Sequence, residues 1–225
     1  MTPRLLRFTL PALAVLAWST AALAQPIPAL CTVPRCIPLI GKTAAGGVDP
    51  AGQFTVTVIG PTGPIGGCPV TIDFSGCSDI CIGNAASNNY VSPTGPILIG
   101  PGKTATSVTD PLGVATFRIV GGATNIVGCN LPFSGAGCVS VSACGVVIGA
   151  STANAYNENG SLGASGVNAA DLSSWLGDYF CPGYKGRSDF DCNGVLAGND
   201  LSAWLVLYFA GGSITGASGN VAPCP

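Results

Sequence analysis

The chain contains no histidine. That absence removes the commonest general base, the Ser-His-Asp and Cys-His arrangements, and most catalytic zinc sites. Charge is scarce as well: Asp, Glu, Lys and Arg make up 8% of the 225 residues, and Lys and Arg form no cluster anywhere. Neutralising a nucleic-acid backbone needs grouped cations, so nucleic acid is an unsuitable partner. Long apolar runs are missing too. A spanning helix takes about 20 apolar residues, and the apolar stretch 10–17 is shorter and broken by Pro11. Paired carboxylates, which a glycoside hydrolase needs, are absent from the middle of the chain. It offers only Asp49, Asp73, Asp79 and Asp110, each isolated and mostly in turn contexts, with Asp110 directly before Pro111. Asp73, beside Phe74 in a strand-like run, reads as structural. No spacing recommends Lys42 or Lys103 as the partner of a nucleophilic serine. The expectation is a protein that is not an enzyme.

What is present begins with an export signal at 1–24. Arg4 and Arg7 form the positive region, 10–17 the apolar region, and Ala22-Leu23-Ala24 a small-residue cleavage site. Residue 25 is Gln, so the thiol of a lipoprotein acceptor is missing there, and Arg4 and Arg7 are not adjacent as a twin-arginine signal requires. The expected product is secreted, extracellular or at the cell surface. Removing Arg4 and Arg7 takes the net charge from −2 to −4. All 11 cysteines follow the signal, and in an exported chain they point to disulfides rather than to a thiolate metal site. The close pairs Cys31/Cys36, Cys77/Cys81, Cys129/Cys138 and Cys181/Cys192 are candidate small-loop bridges. Spacing does not set the connectivity, and the odd count leaves at least one cysteine over.

Residues 25–47, rich in Pro and Cys, show neither period 2 nor period 3.6 and read as an extended leader. Between 48 and 153, β-branched runs alternate with Gly and Pro: 53–59, 69–74, 105–109, 113–120, 138–143 and 146–152. Alternations such as Phe54/Val56/Val58 and Val70/Ile72/Phe74 put one face inward, which predicts a mainly β domain built as an antiparallel sandwich. The stretch 84–102 reads as a long loop. The order of TVTV, a Gly/Pro turn at 60–67, CPVTIDF and TDPLGVATFRIVGG resembles bacterial immunoglobulin-like domains of the invasin (Big-1) sort. The resemblance implies a spacer or binding scaffold.

The region 154–225 holds an internal repeat. DLSSWLGDYF (171–180) matches DLSAWLVLYF (200–209), with Asp171 and Asp200 29 positions apart. In each copy Leu, Trp, Leu, Tyr and Phe recur at i, i+3, i+4, i+7 and i+8, the spacing of one helix face. Leu172/Trp175/Leu176/Tyr179/Phe180 and Leu201/Trp204/Leu205/Tyr208/Phe209 therefore read as core stripes, able to bury against each other. Before the second copy stands DFDCNGVLAGND (189–200). Oxygen donors at loop positions 1, 3 and 5, Gly at 6, a backbone carbonyl at 7 and a carboxylate at 12 match a calcium loop. The ligands would be Asp189, Asp191, Asn193, the Val195 carbonyl and Asp200, with Gly194 permitting the bend. The competing reading, in which Asp and Asn only cap a helix, uses one such residue and not four. The segment before the first copy, 157–171, aligns Asn157, Asn159, Ser161 and Asp171 as a weaker second site. It is 15 residues long where the standard loop has 12, and its early donors are neutral.

A duplicated half calcium loop plus one helix resembles a type I dockerin, over about 157–209. The resemblance implies a small α-helical module that folds on Ca2+ and docks to a cohesin-like protein through the helix starts, including loop positions 10 and 11. Those positions are Ala169-Ala170 and Gly198-Asn199, in place of the Ser-Thr pair common in the family. Two functional expectations follow. One is a secreted, non-catalytic surface or extracellular-matrix protein with a calcium-stabilised module for docking or assembly. The other is an accessory component of polysaccharide degradation, cohesin-bound or carbohydrate-binding. A carbohydrate platform wants an aromatic row, yet the sandwich region has no Trp.

Overall fold

A computed structural model of the chain describes residues 25–42, 47–85, 88–124, 129, 133–156, 167 and 169–209. The expected signal segment, 1–24, lies outside them. In chain order the strands are β1 (Cys36–Ile40), β2 (Phe54–Thr57), β3 (Ile59–Gly60), β4 (Gly63–Pro64), β5 (Pro69–Asp73), β6 (Ile80–Ile82) and β7 (Val91–Ser92). They continue with β8 (Gly95–Pro96), β9 (Leu98–Gly100), β10 (Thr104–Val108), β11 (Val114–Phe117), β12 (Ile119–Ala123), β13 (Val139–Ala143) and β14 (Val146–Ala155). Two helices follow, α1 (Ala169–Phe180) and α2 (Gly198–Phe209). The fold is mainly β, built on a curled eight-stranded sheet of order β6-β12-β1-β14-β13-β5-β10-β9, with β2 and β11 forming a separate ribbon.

All six β-branched runs form strands, because alternation supplies each with an inward face. Val70 and Ile72 of β5, Val139 and Val141 of β13, and Ala105 and Ser107 of β10 are buried while their neighbours are not. On the ribbon, Phe54 and Phe117 are directly paired and stack with centroids 5.2 Å apart. The stretch read as a long loop contributes β7, β8 and the edge strand β9. The two edges of the curl are clasped by Lys103, whose amine donates to the Cys77 (3.1 Å) and Ile80 (2.8 Å) carbonyls. Burial lowers the pKa of this amine, with the charge of Asp79 pulling the other way.

Three sequence expectations are corrected here. The segment read as a leader supplies β1, an interior strand of the sheet, parallel to both β12 and β14. Pro38 disguised it, since proline brings no ladder donor and is rare inside a sheet. The sheet is therefore mixed, not purely antiparallel. Parallel strands are usually covered on both faces, and these are. Ile37 and Leu39 point into the core shared with β2, β5, β11 and β13, while Ile40 and Val120 point into a second core.

That second core is the next correction. The aromatic stripes of the helices do not simply close on each other. Trp175 and Trp204 pack with Ile40, Val48, Val120, Tyr156 and Phe190, so sheet and helices share one apolar cluster. Trp204 Nε1 donates to the Tyr156 carbonyl (3.3 Å) and Trp175 Nε1 to that of Ser188 (3.2 Å). Phe180 and Phe209, counted as core from their spacing, are 77% and 76% exposed, and Leu176 and Tyr179 are exposed too. The buried positions of α1 are Asp171, Trp175 and Asp178.

The disulfides are the third. None of the small-loop bridges forms. Four long-range links are present among the described residues: Cys36–Cys192, Cys68–Cys144, Cys77–Cys138 and Cys129–Cys181. Cys81 is also disulfide-bonded, and Cys31 is free. Such bridges belong to proteins of oxidising compartments. Among the described residues no helix is long and apolar enough to cross a membrane.

Sheet and helices are also joined by a buried ionic network. Arg187 forks onto Asp178 of α1, Nε to Oδ2 at 2.6 Å and Nη2 to Oδ1 at 2.7 Å, and Nη1 donates to the Thr124 carbonyl (3.1 Å) beyond β12. Ser188 Oγ donates to the same Asp178 carboxylate (2.6 Å). Asp79 Oδ2 lies 3.9 Å from Arg187 Nε, and Asp79 Oδ1 accepts from the Ser134 N–H and hydroxyl. Asp79, read from sequence as an isolated turn residue, is thus wholly buried and paired. Asp49, Asp73 and Asp110 do cap turns, accepting the N–H groups of Ala51, Ser75, and Leu112 with Val114, respectively.

Candidate metal centre

Strand β14 delivers the chain to the helical region, and a 3-10 turn at Gly186–Ser188 leads into the acidic loop. Asp189 caps the end of that turn with its N–H on the Gly186 carbonyl (3.3 Å). Its side chain is buried and accepts from the Asn193 (3.2 Å) and Gly194 (2.9 Å) N–H groups and from the Tyr184 hydroxyl (2.7 Å). Gly194 has φ +87°, where a side chain would be strained, so glycine at this position lets the loop turn back on itself. Asp191 is exposed and accepts from the Asn193 N–H (3.1 Å) and amide (2.8 Å). Asn193 Oδ1 in turn accepts from the Val195 N–H (2.8 Å).

Asp200 closes the loop from the first turn of α2. Its Oδ2 accepts from the Ala197 N–H (2.8 Å) and its Oδ1 from the Asp191 N–H (3.1 Å). The first contact is half of a capping box. The capping role accounts for Asp200, while Asp189 and Asp191 accept N–H groups from within the loop itself. Ligand oxygens of Asp189, Asp191 and Asp200 all lie within 4.8 Å of one another. Burial pushes the Asp200 carboxyl above the usual carboxylate range, and the neighbouring Asp191 and Asp189 charges add to that, against the pull of the two N–H bonds. Burial and the Asp189 carboxylate likewise raise the Tyr184 phenol.

Three carboxylates this close to one another could hold a metal ion. The donors are oxygens, with neither imidazole nor thiolate among them, which suits a hard divalent cation and not a soft one. Asp189, Asp191 and Asp200 would be first ligands, with Asn193 and Val195 in the same turn. Tyr184 and the disulfide partner of Cys192 carry no signal in the loop pattern, since they act from outside it. Cys192 at loop position 4 is bonded to Cys36, not to Cys181. Of the weaker second set, Asn157, Asn159 and Ser161 lie outside the described residues, and Asp171 is buried in the first turn of α1.

No family model matches the chain, and comparison with curated proteins and with solved structures also finds no match.

Proposed function

We propose that this chain is a secreted, non-catalytic surface or extracellular-matrix protein, an immunoglobulin-like sandwich carrying a dockerin-like module stabilised by Ca2+ at Asp189, Asp191, Asn193, Val195 and Asp200. The observation that carries the reading is the convergence of three carboxylates from a single glycine-bent loop, two of them buried. Without a cation this arrangement opposes folding. With one, each carboxylate becomes a ligand and binding free energy adds to fold stability. The outer faces of the helices support docking as the role of the module. Leu176, Tyr179 and Phe180 on α1 and Val206 and Phe209 on α2 are exposed large apolar groups, of the kind that mark interaction surfaces.

The test is a calcium titration of the whole mature chain, because its helices share their core with the sheet. Saturating calcium at about 100 times the dissociation constant should stabilise it by about 2.7 kcal/mol, magnesium by much less, and Asp189→Ala should abolish the gain. A chain indifferent to calcium would refute the metal reading. Binding to a cohesin panel then tests docking, and retention on insoluble polysaccharide would favour the accessory role instead.

A further inference from the structure

The Cys36–Cys192 disulfide joins the acidic loop to the sheet at a single covalent point. Cys192 sits between Asp191 and Asn193 and holds φ +61°, a left-handed conformation that residues other than glycine rarely adopt. Cys36 opens β1, opposite Thr152 of β14. Both sulfurs lie 3.8 Å from the Asp189 carbonyl oxygen, which also accepts from Asn154 Nδ2 of β14 at 3.2 Å. One link therefore sets where the loop begins, at buried Asp189, and where its fourth residue stands. A surface cleft of about 200 Å³ opens on this link, lined by Arg35, Cys36, Thr152, Tyr184, Asp189 and Cys192 among others. Both cysteines are partly exposed, so the link faces solvent, where a small thiol can approach it.

We propose that this disulfide is a redox control on the cation site: oxidised, the loop binds tightly, and reduced, it binds weakly. The inference rests on the calcium reading above. The thiolate of a low-molecular-weight thiol attacks one sulfur, the S–S bond breaks, and the electron pair leaves on the other cysteine, which takes a proton. A second thiol resolves the mixed disulfide. Cys36 and Cys192 end as thiols, and the two small thiols as their own disulfide. Loop position 4 is then no longer held to β1, its left-handed backbone relaxes, and Asp191 and Asn193 lose their set spacing. The ordering that the disulfide provided must now come out of the binding free energy. Linkage makes the effect reciprocal, so the cation stabilises the disulfide by the factor through which the disulfide strengthens binding.

The experiment uses the full mature chain in glutathione redox buffers, with calcium or with chelator. Thiols are trapped by alkylation and each disulfide is followed by mass spectrometry of its peptides. In parallel, calorimetry compares calcium binding by the oxidised protein and by Cys36→Ser/Cys192→Ser. The expected result is about tenfold weaker binding in the variant and a Cys36–Cys192 potential about 30 mV more negative with calcium, with Cys68–Cys144 and Cys77–Cys138 unmoved. Calcium binding with an unshifted Cys36–Cys192 potential would overturn the coupling. So would an equal shift of all the disulfides, which is general stabilisation. Oxidised wild type that binds no calcium would sink the metal reading itself. The potential is measured on wild type, so a misfolded variant does not affect the decision.

Discussion

Removing the Arg187 guanidinium should damage the whole molecule and not only the helical part. In Arg187→Met two short charge-assisted bonds to Asp178 disappear, together with the bond to the Thr124 carbonyl. Asp178 and Asp79 are then left as buried carboxylates, and among the described residues Asp79 Oδ2 has no hydrogen-bond partner, only its ion pair with Arg187. Stranding one half of a buried pair costs about 3–5 kcal/mol. At roughly 2–4 °C per kcal/mol for a domain of this size, the midpoint should fall by about 6–20 °C. Differential scanning calorimetry under oxidising conditions measures it. Urea unfolding followed by Trp175 and Trp204 fluorescence and by sheet circular dichroism should still give coincident transitions, since both cores meet at this network. Adding Asp178→Leu should restore at least about 1 kcal/mol, because it removes one of the two stranded charges and leaves an apolar pair in its place. A loss below about 1 kcal/mol for Arg187→Met, the range of an exposed pair, would refute the reasoning.

Two further expectations follow from the loop and from the second core. With Asp200 raised in the folded, cation-free protein, its contribution to stability is full below about pH 4 and is lost as pH rises through the folded value. Calcium needs that carboxylate ionised, so the calcium-induced rise in Tm should be small near about pH 4 and grow towards about pH 7, as thermal melts with and without chelator will report. Trp204→Ala should cost about 3–5 kcal/mol in denaturant unfolding, whereas Phe180→Ala, at the exposed end of the matching stripe in α1, should stay within about 0.5 kcal/mol.

The interior of the sheet was legible because a strand with one buried face writes its period into the sequence, as Val70/Ile72 and Val139/Val141 show. A strand buried on both faces writes no such period, and β1 combines that with Pro38, so it read as leader. The acidic loop was legible because its donors are local, within 189–200. Its supports come from afar and carry no local signal. Tyr184 precedes the loop, Asn154 belongs to β14, and Cys36 is separated from Cys192 by 156 positions. Helical spacing identified the two aromatic stripes but not how deep each position lies. The sheet covers only part of each helix, which buries the tryptophans and leaves Phe180 and Phe209 outside.

The place of β1 has a consequence for the order of synthesis. It is the first strand made, yet its two neighbours, β12 and β14, lie near the other end of the β region. β1 has no partner strand until β12 (Ile119–Ala123) has emerged, and its other flank stays open until β14 is complete at Ala155. Cys36 waits longer still, for Cys192, while the free thiol of Cys31 stands five residues away. A growing chain that oxidises early will therefore meet the wrong partner first. Reaching the native link requires a thiol–disulfide isomerase, or enough delay for the acidic loop at 189–200 to arrive.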